Sequence, residues 1–207
     1  MINKRSIAVH DPYCLLEIIN RYPLATVISH LPGSMEISHL PIAVEFSSNR
    51  KIILQGHLST RNPQWHHFKS GATLTLVFNG PNAFINSNWY KVNDVSTWNY
   101  ISVQAQGLPV LEESYEGLIR ILKATTNMTN RLYKDQWDFH IPDDLKTETS
   151  LTNAIGGFYL EPEKLSGKFK LSQSKSHEDQ KNIINELSLR DDENSRLIAH
   201  FMNENFE

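Results

Sequence analysis

Cysteine is almost missing from this 207-residue chain: Cys14 stands alone. That excludes an intrachain disulfide and any zinc site built on paired cysteines. No two of the nine glycines are spaced as GxG, so there is no dinucleotide fingerprint, and no glycine-rich phosphate loop is present either. GxSxG and HExxH are also absent. His66 and His67 are adjacent, point to different sides of a helix and cannot chelate one metal together. No apolar run approaches the roughly 18 residues of a membrane span. The opening MINKRSIAVHDPY lacks an apolar signal region, so a reducing cytoplasm is the expected setting. Neither sign of charge dominates. A net charge of −3 with 21% charged residues gives no general nucleic-acid surface and leaves room only for a local basic patch. With 40% hydrophobic residues and no repeat or linker, the chain can build a sizeable core.

What the chain does have is an unusual central stretch, residues 79–107, rich in Asn, Ser and Gln and holding Trp89, Trp98, Tyr90 and Tyr100. Read with a period of two, Trp98, Tyr100, Ser102, Gln104 and Gln106 share one face, and Thr97, Asn99, Ile101, Val103 and Ala105 share the other. Flat rings and neutral polar groups on an outward face suit a planar, partly polar ligand or a subunit interface.

Around this stretch the pattern is mostly strand. Asp11-Pro12 starts a helix that Pro23 ends. Residues 24–30 and 35–46 flank a Pro-Gly turn as a hairpin, with Pro41 at an edge or bulge. Residues 51–59 form a third strand, and Asn62-Pro63 caps a short helix closed by Gly71. Residues 72–78 and 83–86 are expected as separate strands around Gly80-Pro81, then a loop over 87–94 and one long strand from 97 to 111. Helix periodicity follows from Tyr115 to Leu132, and Pro142-Asp143-Asp144 should cap another helix. Residues 155–162 and 167–173 return to strand, and two helices close the sequence. The expectation is mainly β with peripheral helices (α+β): six to eight antiparallel strands in a small barrel. Residues 1–175 make the domain, and 176–207 a helical extension packed on it.

Two clusters could bind an anion. Lys168, Lys170 and Ser172 fall on one face of the strand 167–173. Ser59, Thr60, Arg61 and Asn62 stand at a strand end just before a helix, where hydroxyls, a guanidinium and helix N–H groups suit a phosphate monoester. His39 and His57 read as hydrogen-bonded histidines at a barrel end rather than as metal ligands or general bases. Together with the aromatic, amide-rich strand, these clusters point to a phosphorylated planar cofactor. FMN meets that description without needing a Rossmann turn.

Several strings then resemble the FMN-binding negative transcriptional regulator family, the PaiB-like proteins. They are Pro23 to Thr26, Ser38-His39-Leu40-Pro41, Gly56-His57-Leu58 with Asn62 to Trp65, and Phe78 to Pro81. Ser87 to Tyr90, Thr97 to Tyr100 and Gly167 to Gln173 complete the set, in the family's order. The resemblance implies an antiparallel split β-barrel of the FMN-binding type, a homodimer with flavin at the subunit interface, and a role in regulation. It implies that Ser38 to Pro41 offer backbone to the flavin ring. His57 and Leu58 lead into Ser59 to Asn62, which with Lys168, Lys170, Ser172 and Gln173 approach the phosphate, while Trp98 and Asn99 lie by the ring or the dimer seam. Relative to the family's Ala-Arg-Ala, Arg61 is shifted by one, so it reaches the phosphate only if it lies past the strand end. DNA enters by resemblance alone, since nothing here reads as a helix-turn-helix. The alternatives are a flavin-dependent oxidoreductase, a haem-handling enzyme of the same fold, or a dimeric binding protein that has lost its cofactor.

Overall fold

The computed structural model describes residues 8–92 and 94–204. These form two compact units, one of residues 16–78 and 104–165, the other of residues 8–15, 79–103 and 166–204.

The chain opens with β1 (Ala8–Val9) and α1 (Pro12–Arg21), whose first turn is capped by Asp11 accepting the Tyr13 N–H at 2.9 Å. β2 (Leu24–Leu31) and β3 (Ser34–Pro41) make the expected hairpin, closed by Pro32-Gly33 with Gly33 at φ 81°. Here the first difference from expectation appears. The run 35–46 is not one strand: β3 stops at Pro41, buried Ile42 intervenes, and β4 (Ala43–Phe46) joins another sheet. β5 (Ile52–Ser59) and α2 (Pro63–Lys69) follow as expected.

Residues 72–86 are the reverse case. A single strand, β6 (Thr73–Ile85), runs straight through Gly80-Pro81. A Cβ on Gly80 would lie 3.1 Å from the Ile101 carbonyl oxygen and 3.2 Å from its Cβ, so this glycine marks a close backbone approach and not a turn. The expected loop begins with one 3-10 turn, Ser87–Trp89; Asn93 within it lies outside the described residues. The long strand 97–111 breaks at Leu108-Pro109 into β7 (Thr97–Gly107) and β8 (Val110–Glu112), which belong to different sheets. α3 (Tyr115–Tyr133) is capped by Ser114. Pro142 precedes only a 3-10 turn, Asp143–Leu145. The helix that follows, α4 (Glu148–Ala154), is capped by Thr147 instead. β9 (Ile155–Leu160), β10 (Lys164–Lys170), α5 (His177–Ser188) and α6 (Glu193–Glu204) complete the described chain.

The strand orders are β1-β10-β7-β6-β2-β3 and β4-β5-β9-β8, and the pairings β1–β10, β2–β3, β2–β6, β4–β5, β5–β9 and β8–β9 are antiparallel. Ten strands among the described residues exceed the six to eight expected, chiefly because two runs broke at prolines. In the larger unit α3 packs on β5 and β9. Its core includes Phe68 edge-on to Phe158 at 5.2 Å and to Trp65 at 6.1 Å. In the smaller unit α5 packs on α6, and Ile101, Val103, Phe169, Ile183, Leu187, Ile198 and Phe201 are buried.

Candidate functional site

In the larger unit, β5 ends at Ser59 and the chain turns through Thr60 and Arg61 into α2. Backbone bonds hold this turn: Arg61 N–H donates to Ser59 Oγ at 3.2 Å and Thr60 N–H to the Ala154 carbonyl at 3.1 Å. The Thr60 hydroxyl donates to the Asn153 carbonyl at 2.5 Å. Arg61 therefore lies past the strand end, and with Ser59, Ser150, Asn153 and Ala154 it lines a cavity of about 360 Å³. Asn62 caps α2 by accepting the Gln64 N–H at 2.9 Å, so that helix N–H is already engaged. Its amide also donates to Ser38 Oγ at 2.9 Å, which brings the two sequence segments Ser38–Pro41 and Ser59–Asn62 together. On β3 the residues alternate: His39 is exposed, and Leu40 is buried.

His57 is half-buried and its register partner on β9 is Gly157. A Cβ on Gly157 would meet Ile121 and Leu118 of α3, and cross-strand partners share a face, so His57 stands on the side that α3 covers. Its Nδ1 is buried without a hydrogen-bond partner, and burial lowers its pKa from the ordinary 6.5. Leu58 faces the other way and is 4% exposed, so only its backbone is available to a ligand. The depressed pKa has a definite sign. As pH falls below 6.5, the unfolded chain takes up a proton that folded His57 still refuses, so stability drops until the folded pKa is passed. In urea unfolding, wild type should lose more stability between about pH 7.5 and 5.5 than His57→Gln, with a slope of at most about 1.4 kcal/mol per pH unit. Parallel pH profiles for the two proteins would exclude this account.

In the smaller unit the period-two reading of β7 holds: Trp98 is 54% exposed and Tyr100 and Ser102 half-buried, whereas Asn99, Ile101 and Val103 are buried. Trp98 meets Phe84 of β6 edge-on at 5.8 Å. Lys168 and Lys170 share a face of β10; the Lys168 ammonium lies 5.8 Å from the Tyr100 ring centre, and Lys170 donates to Thr97 Oγ1 at 2.5 Å. Ser172, however, is not on that strand face. β10 ends at Lys170, and Ser172 sits at φ 60° with its hydroxyl donating to buried Asn99 Oδ1 at 3.0 Å. The Asn99 amide donates in turn to Met202 Sδ at 3.4 Å. Gln173 accepts from the Leu171 N–H at 2.8 Å and donates to the Phe169 carbonyl. Asn99, Ser172 and Gln173 thus fix the turn that follows Lys170. Ser172→Ala would leave Asn99 Oδ1 buried without its donor and should cost about 1–3 kcal/mol in urea unfolding.

Thr97, Lys170, Ser172, Gln173 and Lys175 line a cavity of about 340 Å³. Lys175 pairs with Asp94 and lies over the Tyr90 ring at 4.4 Å. The sequence reading passed over Lys175, Phe84, Ser150 and Asn153. Phe84 was legible in the alternation of β6, had that strand been read as continuous. Lys175 was legible as a third cation two residues beyond Gln173. Ser150 and Asn153 carry no signal of their own.

Two antiparallel sheets with helices outside define the class of protein: an antiparallel split β-barrel. Solved structures share this fold. The FAD and haem binding protein from Mycobacterium smegmatis matches at 15% identity with TM-score 0.59, covering 84% of this chain and 78% of that one. The flavocytochrome Anf3 from Azotobacter vinelandii matches at 15% identity with TM-score 0.56, covering 84% and 74%. The family described as "Putative FMN-binding domain" matches residues 1–164, and the chain belongs to it. The protease synthase and sporulation protein PAI 2 of Bacillus subtilis (strain 168) is 30% identical over 154 residues, 72% of this chain and 71% of that protein. The cofactor is accordingly a flavin, FMN. The matched residues stop short of Lys168 and Lys170. Among the described residues no helix is long and apolar enough to cross a membrane.

Proposed function

We infer that this protein is a flavin-linked regulator of the PaiB-like kind, working in the cytoplasm as a homodimer with FMN at the subunit interface. The observation that carries the reading is the outward face of β7 and β10, where exposed Trp98 and half-buried Tyr100 stand with Lys168 and Lys170. The donor set fits FMN: ammonium and hydroxyl groups suit a phosphate monoester, and an uncovered indole suits a flat ring. In the other unit Ser59 and Arg61 line a cavity with the same preference for an oxyanion, and Ser38 to Pro41 offer strand backbone. When bound, FMN supplies one- and two-electron redox chemistry. The chain's residues orient it: Asn99 and Ser172 hold the turn beside Lys170, and Asn62 holds Ser38. A net charge of −3 favours regulation through a partner protein over direct reading of DNA.

The test is an absorbance spectrum of freshly purified protein, with mass spectrometry of the small molecule that heat releases. A yellow protein releasing FMN, inert to NADPH and dimeric by gel filtration, supports the regulator. Rapid bleaching by NADPH would favour an oxidoreductase of the same fold, and a colourless protein that takes up no FMN would defeat the reading.

A further inference from the structure

Another cavity, of about 580 Å³, opens in the larger unit and shares no lining residue with the one at Ser59 and Arg61. Three elements build it, each with one face. Val44 and Phe46 are two apart on β4 and project to the same side, while Glu45 between them turns away to accept from Gln55 at 3.2 Å. Met128, Arg131 and Leu132 of α3 are spaced i, i+3, i+4, and so are Glu17, Asn20 and Arg21 of α1.

The chemistry divides sharply. Met128, 4% exposed, is the floor, while Phe46 leaves 58% of its surface open on the wall. Two arginines from different helices, Arg21 and Arg131, line it with one carboxylate residue, Glu17, so the lining is cationic on balance. A guanidinium is a planar fork that matches a carboxylate in two parallel bonds, which a compact ammonium cannot do. Phe46 and the Met128 thioether both favour an aromatic ring over an alkyl chain. The volume lies within the roughly 300–1,000 Å³ usual for small-molecule sites.

We propose that this cavity binds a small aromatic carboxylate, its ring against Phe46 and Met128 and its carboxyl group on Arg131 with Arg21. Its lining includes none of the residues assigned to the flavin, and it gives a regulator an input of its own. A ligand there ties α1, β4 and α3 together and raises the unfolding temperature by mass action.

The probe is 2-naphthoate, titrated calorimetrically into the full chain beside 2-naphthamide, which has the same ring without the charge. Saturable naphthoate binding is expected, with the amide weaker by roughly tenfold or more, and Arg131→Gln weakening naphthoate by a similar factor. Leu132→Trp, which fills the space, should abolish binding. If that variant does not fold, exposed Arg131 alone decides. Equal affinity for acid and amide, unaltered binding by Arg131→Gln, or no saturable heat with wild type would overturn the site. Flavin content is measured on each sample. Naphthoate binding by flavin-free protein upholds this site even where the flavin reading fails.

Discussion

Lys168→Ala combined with Lys170→Ala is expected to weaken FMN binding by two or more orders of magnitude while leaving the fold intact. Each ammonium offers a charge-assisted contact worth roughly 1.5–3 kcal/mol, and each 1.4 kcal/mol is a factor of ten. Lys168 is exposed and Lys170 half-buried, so truncation opens no core cavity. The Thr97 hydroxyl loses its cation but is only half-buried and lines a cavity, where water replaces the lost donor. Riboflavin makes the experiment specific, because it carries the ring without the phosphate. Fluorescence titration should show FMN affinity falling toward that of riboflavin, with riboflavin itself unmoved. Should both flavins weaken equally, the lysines act on the ring or the fold, and the phosphate assignment is wrong.

The second large effect is structural and reaches the other cluster. Gly156 of β9 lies flat on the indole of Trp65: an added Cβ would come within 2.5 Å of Cζ2 and 2.6 Å of Cε2 and Cη2. Trp65 is only 2% exposed and cannot swing away. Gly156→Val should therefore destabilise at or above the top of the roughly 1–3 kcal/mol range for overpacking, out of a total of about 5–15 kcal/mol. The strain falls on α2 within three residues of Asn62, so flavin affinity should fall with stability. Trp65→Phe removes the ring atoms in question and should restore part of the loss in Gly156→Ala. If Gly156→Val unfolds at the wild-type urea midpoint, the contact is not as tight as described.

The sequence spoke clearly wherever a local rule was sufficient. The Pro32-Gly33 hairpin, the Asn62 cap and the alternation of β7 each need only neighbouring residues, and each stands where it was expected. Proline was the ambiguous letter. At Pro41 and before Pro109 it ends a strand, yet β6 passes through Pro81 unbroken. A missing N–H matters only where a neighbouring strand asks for that donor, and pairing is decided far away in the chain. Ser172 shows the same limit. Its alternation put it beside the lysines, but a bond to Asn99, 73 residues earlier, turns it inward at positive φ. For Arg61 the strand end decides the geometry: β5 stops at Ser59, so Arg61 meets the condition that its one-residue offset set, which is to lie past the strand.

Asn62 is a junction with little slack. One rigid amide plane spends its oxygen on the start of a helix and its nitrogen on the hydroxyl of Ser38. Tugging on β3 must therefore loosen the cap, and tightening the cap must steady β3. A molecule resting on that strand would announce itself at a distance, as slower amide exchange at Gln64, without ever touching the helix.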